Sequence, residues 1–401
     1  MTTAQPRRRV FVLVLDSLGV GALPDAGAFG DDGAHTLDHL VAAAGGLDAP
    51  RLTALGLGKI EGVSSLPEPS LAGGAYGRCG ERSPGKDTST GHWEMMGCPL
   101  EQAFPVYPDG FPPELLDPII ERAGLPGVLC NAPASGTEVI ARLGEESSAS
   151  GKPIVYTSAD SVFQVAAHEE HFGLERLHEV CRIAREVLLP TGLGRVIARP
   201  FVGEPGAYTR TYNRKDFSLE PPQDTVLDAL VRGGVPVIGV GKISDIFAGR
   251  GVPESHHTEG NRDGMRATIE LARGERGSFD HGLCFVNLVD FDMLYGHRRD
   301  PEGYRAALEA FDGDLVELEA ELGPDDLVLL CADHGNDPTH TETTDHTREY
   351  TPVILAGPSV TPGVELGTRE SLADIGATVA EALGLAWTGA GRSFLAEAVG
   401  A

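Results

Sequence analysis

One stretch, Leu327-Val-Leu-Leu-Cys-Ala-Asp-His-Gly-Asn-Asp-Pro338, constrains the fold more than any other. A short apolar run rich in β-formers halts abruptly at an acid and an imidazole. Bounded by polar, Gly and Pro residues, such a run reads as a strand buried in a parallel sheet. Asp333 and His334 then fall just past its carboxyl end, where open α/β sheets place their sites. The pattern recurs at Val10-Phe-Val-Leu-Val-Leu-Asp16 and at Leu283-Cys-Phe-Val-Asn-Leu-Val-Asp-Phe-Asp292. Three apolar strands that each run into aspartate point to one shared site with several oxygen ligands.

The elements between these strands alternate. After the strand at 10–15 comes a Gly-rich loop, Ser17 to Asp25, which reads either as an ordinary loose loop or as one whose glycines let backbone approach an anion. Residues 34–44 and 259–273 read as helices, and Val235–Val240 as a strand delivering Lys242. Asp300-Pro301 opens a helix with an acid N-cap and Pro in its first turn, and Gly323-Pro324 closes it. Residues 283–332 therefore form a βαβ unit of a parallel sheet. A strand at 352–356 and a helix from Ser371 complete an α/β core.

Between Pro-rich connectors near 104–113 and 220–222 the character changes. Pro153–Ser158 and Arg195–Arg199 read as strands, and Leu174–Leu189 as an amphipathic helix. The boundaries read as core 1–100, an inserted α+β cap 101–220, and core 221–401. The insert carries Asp160, His168, His171, Arg195, Arg199 and Arg210 as candidates for a cleft.

A net charge of −27 argues against sequence-independent nucleic-acid binding and against an anionic membrane surface. Six cysteines scattered without CxxC spacing read as core residues in a reducing compartment. Arg7-Arg-Arg9 precedes an apolar run too short for a signal peptide, and no stretch approaches a membrane span.

Asp16, Asp292, His297, Asp333, His334 and His346 are the candidate metal ligands. Any one alone is an ordinary turn former or surface imidazole. Six together divide into two sets of three, as a two-metal site requires. Carboxylate with imidazole suits Mn²⁺, Zn²⁺ or Fe²⁺ better than Ca²⁺, and the lack of cysteine disfavours structural zinc. Ser83-Pro-Gly-Lys-Asp-Thr-Ser-Thr-Gly-His-Trp-Glu94 reads either as an exposed turn capping a helix or as a hydroxyl nucleophile at a helix N-terminus, where amides and dipole favour phosphate.

Several long motifs then carry a resemblance. Val14-Leu-Asp-Ser-Leu-Gly-Val-Gly21, Gly85-Lys-Asp-Thr-Ser-Thr-Gly-His-Trp-Glu94, Tyr156-Thr-Ser-Ala-Asp-Ser161, Asn287-Leu-Val-Asp-Phe-Asp292, Gly296-His-Arg-Arg-Asp-Pro301, Ala332-Asp-His-Gly-Asn-Asp-Pro338 and Thr344-Asp-His-Thr-Arg-Glu-Tyr350 resemble the phosphopentomutases of the alkaline phosphatase superfamily. The likeness runs from about residue 10 to 395. It implies an alkaline-phosphatase-like α/β core, with a mostly parallel sheet flanked by helices, and the inserted α+β cap.

By motif, Asp16, Asp333 and His334 resemble the ligands of one Mn²⁺, and Asp292, His297 and His346 those of a second. His340 competes with His346, which is preferred because its Asp-His-Thr-Arg-Glu-Tyr motif is intact. Thr88 matches the phosphorylated residue, with Thr90 its nearest rival, and Asp160 the cap carboxylate. Arg195, Arg210 and Lys242 match contacts to the substrate phosphate, and Ser158, Val162 and Ile197 lie near the sugar.

The resemblance implies interconversion of ribose 5-phosphate and ribose 1-phosphate, primed by a sugar bisphosphate such as glucose 1,6-bisphosphate. It also implies a cytoplasmic monomer acting on pentose phosphates, without a protein partner, nucleic acid or membrane. A phosphohydrolase or phosphoglycerate mutase of the same superfamily, or a catalytically silent metal-binding protein, are the rival readings.

Overall fold

The computed structural model describes residues 8–158 and 161–400. Asp160 lies outside the described residues. The chain divides into two compact units, Met1–Gln102 with Pro221–Ala401, and Ala103–Glu220.

In chain order the strands are β1 (Arg9–Leu15), β2 (Ala75–Cys79), β3 (Leu129–Pro133), β4 (Ile154–Thr157) and β5 (Val162–His168). There follow β6 (Arg195–Val202), β7 (Thr209–Arg210), β8 (Lys215–Ser218), β9 (Val237–Val240) and β10 (Glu254–His256). The last are β11 (Gly282–Leu288), β12 (Leu327–Cys331), β13 (Thr351–Ala356) and β14 (Glu365–Arg369).

The larger unit is built on a sheet of order β10-β9-β11-β1-β12-β13-β2-β14. Its five strands from β10 to β12 pair in parallel. β11 and β12, read from the sequence as one βαβ unit, both flank β1, so their crossover helix passes over one strand. β13 runs antiparallel to both β12 and β2. All of β11 and β12 is buried, as an apolar run without alternation requires. Helices Thr36–Ala44, Asn261–Arg273 and Pro301–Glu319 cover one face through Leu37, Leu40, Met265, Leu308, Phe311 and Leu315. The Asp300 side chain accepts from Gly303 N at 2.9 Å, so the acid caps that helix as its spacing predicts.

The smaller unit has the order β3-β4-β5-β6-β7, with β8 also paired to β6. Helices Pro113–Arg122 and Leu174–Leu188 pack on one face through Leu116, Ile119, Leu177, Cys181 and Ala184. Helix Gly136–Ser150 covers part of the other through Val139 and Ile140. All six cysteines are free thiols, five of them buried. Among the described residues no helix is long and apolar enough to cross a membrane.

Candidate active site

β1 and β12 are neighbours in parallel register, and their carboxyl ends deliver Asp16, Asp333 and His334 to one point. Ligand-type atoms of these three residues lie within 4.8 Å of one another, and all three are buried. Ser17 adopts φ 75°, a left-handed turn uncommon for a non-glycine residue, and its amide donates to Asp333 Oδ1 at 3.1 Å. Asn287, from β11, donates to Asp16 Oδ2 at 2.7 Å. That leaves Asp16 Oδ1 buried without a hydrogen-bond donor among the described residues, while Asp333 Oδ2 has the His92 ring nitrogen 3.1 Å away. Burial, with Asp333 and Asp292 nearby, pushes the Asp16 carboxyl well above the usual carboxylate range. For Asp333 burial works the same way, but His334 and His92 outweigh it and hold its pKa down.

The second set forms on the turn after β11. Asp292 lies in the π-helical turn Phe291–Gly296, and His297 follows it. His297 Nε2 is 3.1 Å from Asp292 Oδ2, and His346 Nε2 is 3.2 Å from His297 Nε2 and 3.5 Å from Asp292 Oδ1. Asp292 also converges with His334 and His346 within 4.8 Å, so His334 borders both sets. Burial opposes ionisation of Asp292, yet His346 and His297 hold its carboxyl well below the usual range. His297 is raised in return, because Asp292 outweighs the effect of burial. Between His346 and its rival, the structure brings His346 to the cluster.

The donor set fits divalent cations. His334 Nδ1–H donates to the Gly335 carbonyl at 3.0 Å and His297 Nδ1–H to the Thr344 carbonyl at 2.6 Å. In the neutral ring each Nε2 then presents its lone pair to the carboxylates, the second-nitrogen anchoring found in metal-ligating histidines. Burial lowers the His334 pKa, which keeps that imidazole neutral. A carboxylate oxygen without a donor, beside such nitrogens, is what a cation satisfies.

Thr88 opens the helix Thr88–Met95. Asp87 is the N-cap and accepts from Ser89 N at 3.0 Å and Thr90 N at 3.2 Å. Thr90 donates its hydroxyl to Asp87 as well, so it is committed to the cap and buried. Thr88 Oγ1 instead lies 3.3 Å from His334 Nε2, at the first triad. Gly91 permits this approach, since a Cβ there would sit 2.3 Å from the Asp333 carbonyl oxygen. The preceding loop is pinned by Arg348, which donates to Ser83 O at 2.8 Å and Gly85 O at 2.5 Å, and by Lys86, 2.9 Å from Asp31.

Lys242 follows β9 in the same unit, where its charge offsets part of the rise in the Asp16 pKa. The remaining candidates belong to the smaller unit. Ser158 is half-buried just after β4, while Val162 and Ile197 are buried on β5 and β6. Arg195 begins β6, 4.0 Å from Asp216, whereas Arg210 is exposed on β7 opposite Phe201. Arg195 and Arg210 are thus not adjacent. Six residues of strand separate their register positions, roughly 20 Å at the usual rise.

The glycines after β1 bring backbone against a carboxylate of the same chain. A Cβ on Gly19 would lie 2.2 Å from Glu349 Oε2, and Gly21 N donates to that carboxylate at 3.1 Å. They let the loop close on a buried acid of the same chain. Several residues at the site went unassigned from sequence. His92 is fully buried, with Nδ1 2.9 Å from the Thr88 carbonyl and 3.1 Å from Asp333 Oδ2. Its signal was the i, i+4 spacing from Thr88. Asn336 donates to Asp292 Oδ1 at 2.7 Å, and Arg299 donates to Asn336 Oδ1 at 2.5 Å. Neither carries a spacing signal.

Residues 8–387 match the Metalloenzyme superfamily. A phosphopentomutase of Symbiobacterium thermophilum is 56% identical over 96% of this chain and 98% of its own length. One of Anaeromyxobacter dehalogenans is 55% identical over 98% of both chains. Another, of Desulfitobacterium hafniense, is 51% identical over 98% of this chain and 100% of its own. Likeness of this extent, on a core whose strand ends gather a carboxylate–histidine metal site, makes the chain a member of the phosphopentomutase family, metal-binding isomerases of the metalloenzyme superfamily.

Proposed function

We propose that this protein interconverts ribose 5-phosphate and ribose 1-phosphate, and their 2-deoxyribose equivalents, by transferring a phosphoryl group through Thr88. The observation that carries this reading is the placement of one threonine hydroxyl, at the start of a helix, 3.3 Å from His334 Nε2 of a buried carboxylate–histidine set. Thr90, the competing hydroxyl, is occupied by Asp87.

In the forward direction a hydroxyl oxygen of the bound pentose phosphate attacks the phosphorus of phosphorylated Thr88. The P–Oγ1 bond breaks as the new P–O bond forms, giving a pentose 1,5-bisphosphate. The other phosphoryl group then passes to Thr88 Oγ1, and the isomeric monophosphate leaves. A sugar bisphosphate such as glucose 1,6-bisphosphate primes the cycle by phosphorylating Thr88.

Asp16, Asp333 and His334 would hold one divalent cation and Asp292, His297 and His346 a second. These ions, Mn²⁺ by family resemblance, supply neutralisation of phosphoryl charge and activation of the threonine hydroxyl. Helix amides beside Thr88 favour the phosphoryl dianion. Arg195, Arg210 and Lys242 are assigned to the substrate phosphate, Ser158, Val162 and Ile197 to the sugar, and Asp160 to the cap carboxylate, all by motif. The reading also places the protein in the cytoplasm as a monomer with small-molecule partners alone.

The test is direct. With Mn²⁺ and a catalytic amount of glucose 1,6-bisphosphate, the protein should interconvert the two ribose phosphates without releasing inorganic phosphate. Phosphate release at a comparable rate would instead identify a hydrolase.

A further inference from the structure

The helix that carries Thr88 is pressed against the first ligand triad by two consecutive residues, Gly91 and His92. Gly91 brings the backbones together, since a Cβ there would lie 2.3 Å from the Asp333 carbonyl oxygen. His92 fills the space beside this contact, and its side chain is fully buried. The next residue, Trp93, donates its Nε1–H to the Ile246 carbonyl at 2.9 Å.

The two nitrogens of the His92 ring have opposite surroundings. Nδ1 lies 2.9 Å from the Thr88 carbonyl oxygen and 3.1 Å from Asp333 Oδ2. Both neighbours are acceptors, so the ring proton sits on Nδ1 and faces the two together. Nε2 is buried without a hydrogen-bond partner among the described residues, and the Phe285 ring lies 5.8 Å from the imidazole, centroid to centroid. A buried polar atom left unpaired costs stability that an apolar side chain of similar size would not. What the imidazole adds over such a side chain is the Nδ1–H.

That donor bridges the nucleophile's backbone and a ligand of the first triad. Asp333 Oδ1 is held by Ser17 N at 3.1 Å. Oδ2 has His334 Nε2 at 3.3 Å, but that nitrogen is an acceptor in the neutral ring. The N–H beside Oδ2 comes from His92. A short path, Thr88 carbonyl to His92 ring to Asp333 carboxylate, thus runs beside the 3.3 Å approach of Thr88 Oγ1 to His334 Nε2.

We infer that His92 is a positioning residue for phosphoryl transfer, its Nδ1–H tying the Thr88 backbone to Asp333 and so fixing the threonine hydroxyl at the first triad. The inference rests on Thr88 being the residue that carries the phosphoryl group. His92 contacts the Thr88 carbonyl rather than Oγ1, and its burial keeps it from the substrate. Its loss should therefore slow transfer and leave substrate affinity alone.

The test compares three variants of the full-length protein at saturating Mn²⁺, with glucose 1,6-bisphosphate as phosphoryl donor. Mass spectrometry follows the rate at which Thr88 gains phosphate, and kcat and KM are measured for ribose 5-phosphate. An asparagine amide places an N–H where Nδ1 stands, a glutamine amide where Nε2 stands, and leucine supplies none. His92→Leu and His92→Gln should phosphorylate Thr88 about 10²-fold more slowly, the loss a misplaced reacting group produces, and kcat should fall with it. KM should stay within about twofold of the wild-type value. His92→Asn should keep its rates within about fivefold of wild type, because the donor is retained. Elemental analysis should find as much Mn²⁺ in each variant as in the wild type.

Equal rates in His92→Asn and His92→Gln would overturn the inference, and this pair decides it even where His92→Leu does not fold. A full rate in a folded His92→Leu protein overturns it too. So does a slow rate that further Mn²⁺ restores, which would give the ring a part in metal retention alone. A wild type whose Thr88 takes no phosphate removes the mutase reading and the role of His92 with it. A wild type that is phosphorylated there, with variants that match its rate, removes the role alone.

Discussion

The two ligand triads lie in one unit but are built from different material. Asp16 and Asp333 follow adjacent parallel strands, so the ladder between β1 and β12 sets their spacing. With His334 they are at most 1% exposed. Asp292 and His297 instead occupy a turn beyond β11, and His346 comes from the distant segment after β12. His297's side chain is 37% exposed. What joins the second set is Arg299, in a left-handed conformation at φ 55°, which donates to the Gly296, Asp337, Thr343 and Asp345 carbonyls. A sheet-built site opens only when the core does, whereas a loop-clamped site opens locally at lower cost. Of two bound ions, the one at Asp292, His297 and His346 should exchange first.

The largest effect expected from breaking this contrast is at the first triad. Asp333→Asn removes the charge that faces His334 and His92, and should cost about 10³-fold in turnover together with one equivalent of metal. Full metal content and activity would contradict the assignment. His297→Ala should cost less, about 10²-fold, and elemental analysis should find one ion retained after dialysis. Loss of both ions, or neither, would erase the distinction between the sites. Arg299→Met touches no ligand directly. It should weaken the second ion's affinity about tenfold while leaving the first unchanged, as for other residues that orient ligands.

The smallest effect is on pH dependence. His297 has a raised pKa, so the stability its proton contributes is present below the unfolded value and lost as pH rises through the folded one. Asp16 is also raised, and its buried charge disfavours the metal-free fold as pH rises. Asp292, held low, contributes stability that is lost only at acid pH, and His334, held low by burial, is already neutral near pH 7. Metal binding must displace the first two protons. The metal-dependent gain in Tm should therefore grow by a few degrees between pH 6 and 8, as scanning calorimetry would show. A gain that shrinks over this range would contradict the ligand set.

The same contrast explains what could be read from the sequence. β1, β11 and β12 were legible because strands buried on both faces cannot alternate, and because each runs into an acid. Thr88 was legible as a residue type at a helix start, although only the structure separates the two hydroxyls in space, with Thr90 held by Asp87 and Thr88 beside His334. The antiparallel pairing of β13 with β12 and β2 was not legible, since an apolar strand carries no mark of direction. The packing of the Gly19–Gly21 loop on Glu349 was not legible, because a glycine needed for close packing there looks like one needed beside a bound anion. His92, Asn287, Asn336 and Arg299 act through contacts between segments distant in sequence, or on faces that spacing alone leaves ambiguous.

The account turns on Thr88 as the residue that carries the phosphoryl group. Incubation with glucose 1,6-bisphosphate and Mn²⁺, followed by mass spectrometry of the peptide spanning Ser83–Glu94, tests this most directly. Phosphate on Thr88, absent from Thr90 and lost on adding ribose 5-phosphate, is the predicted result. Phosphate on another residue, or an unmodified peptide in a protein that still interconverts the ribose phosphates, would contradict it.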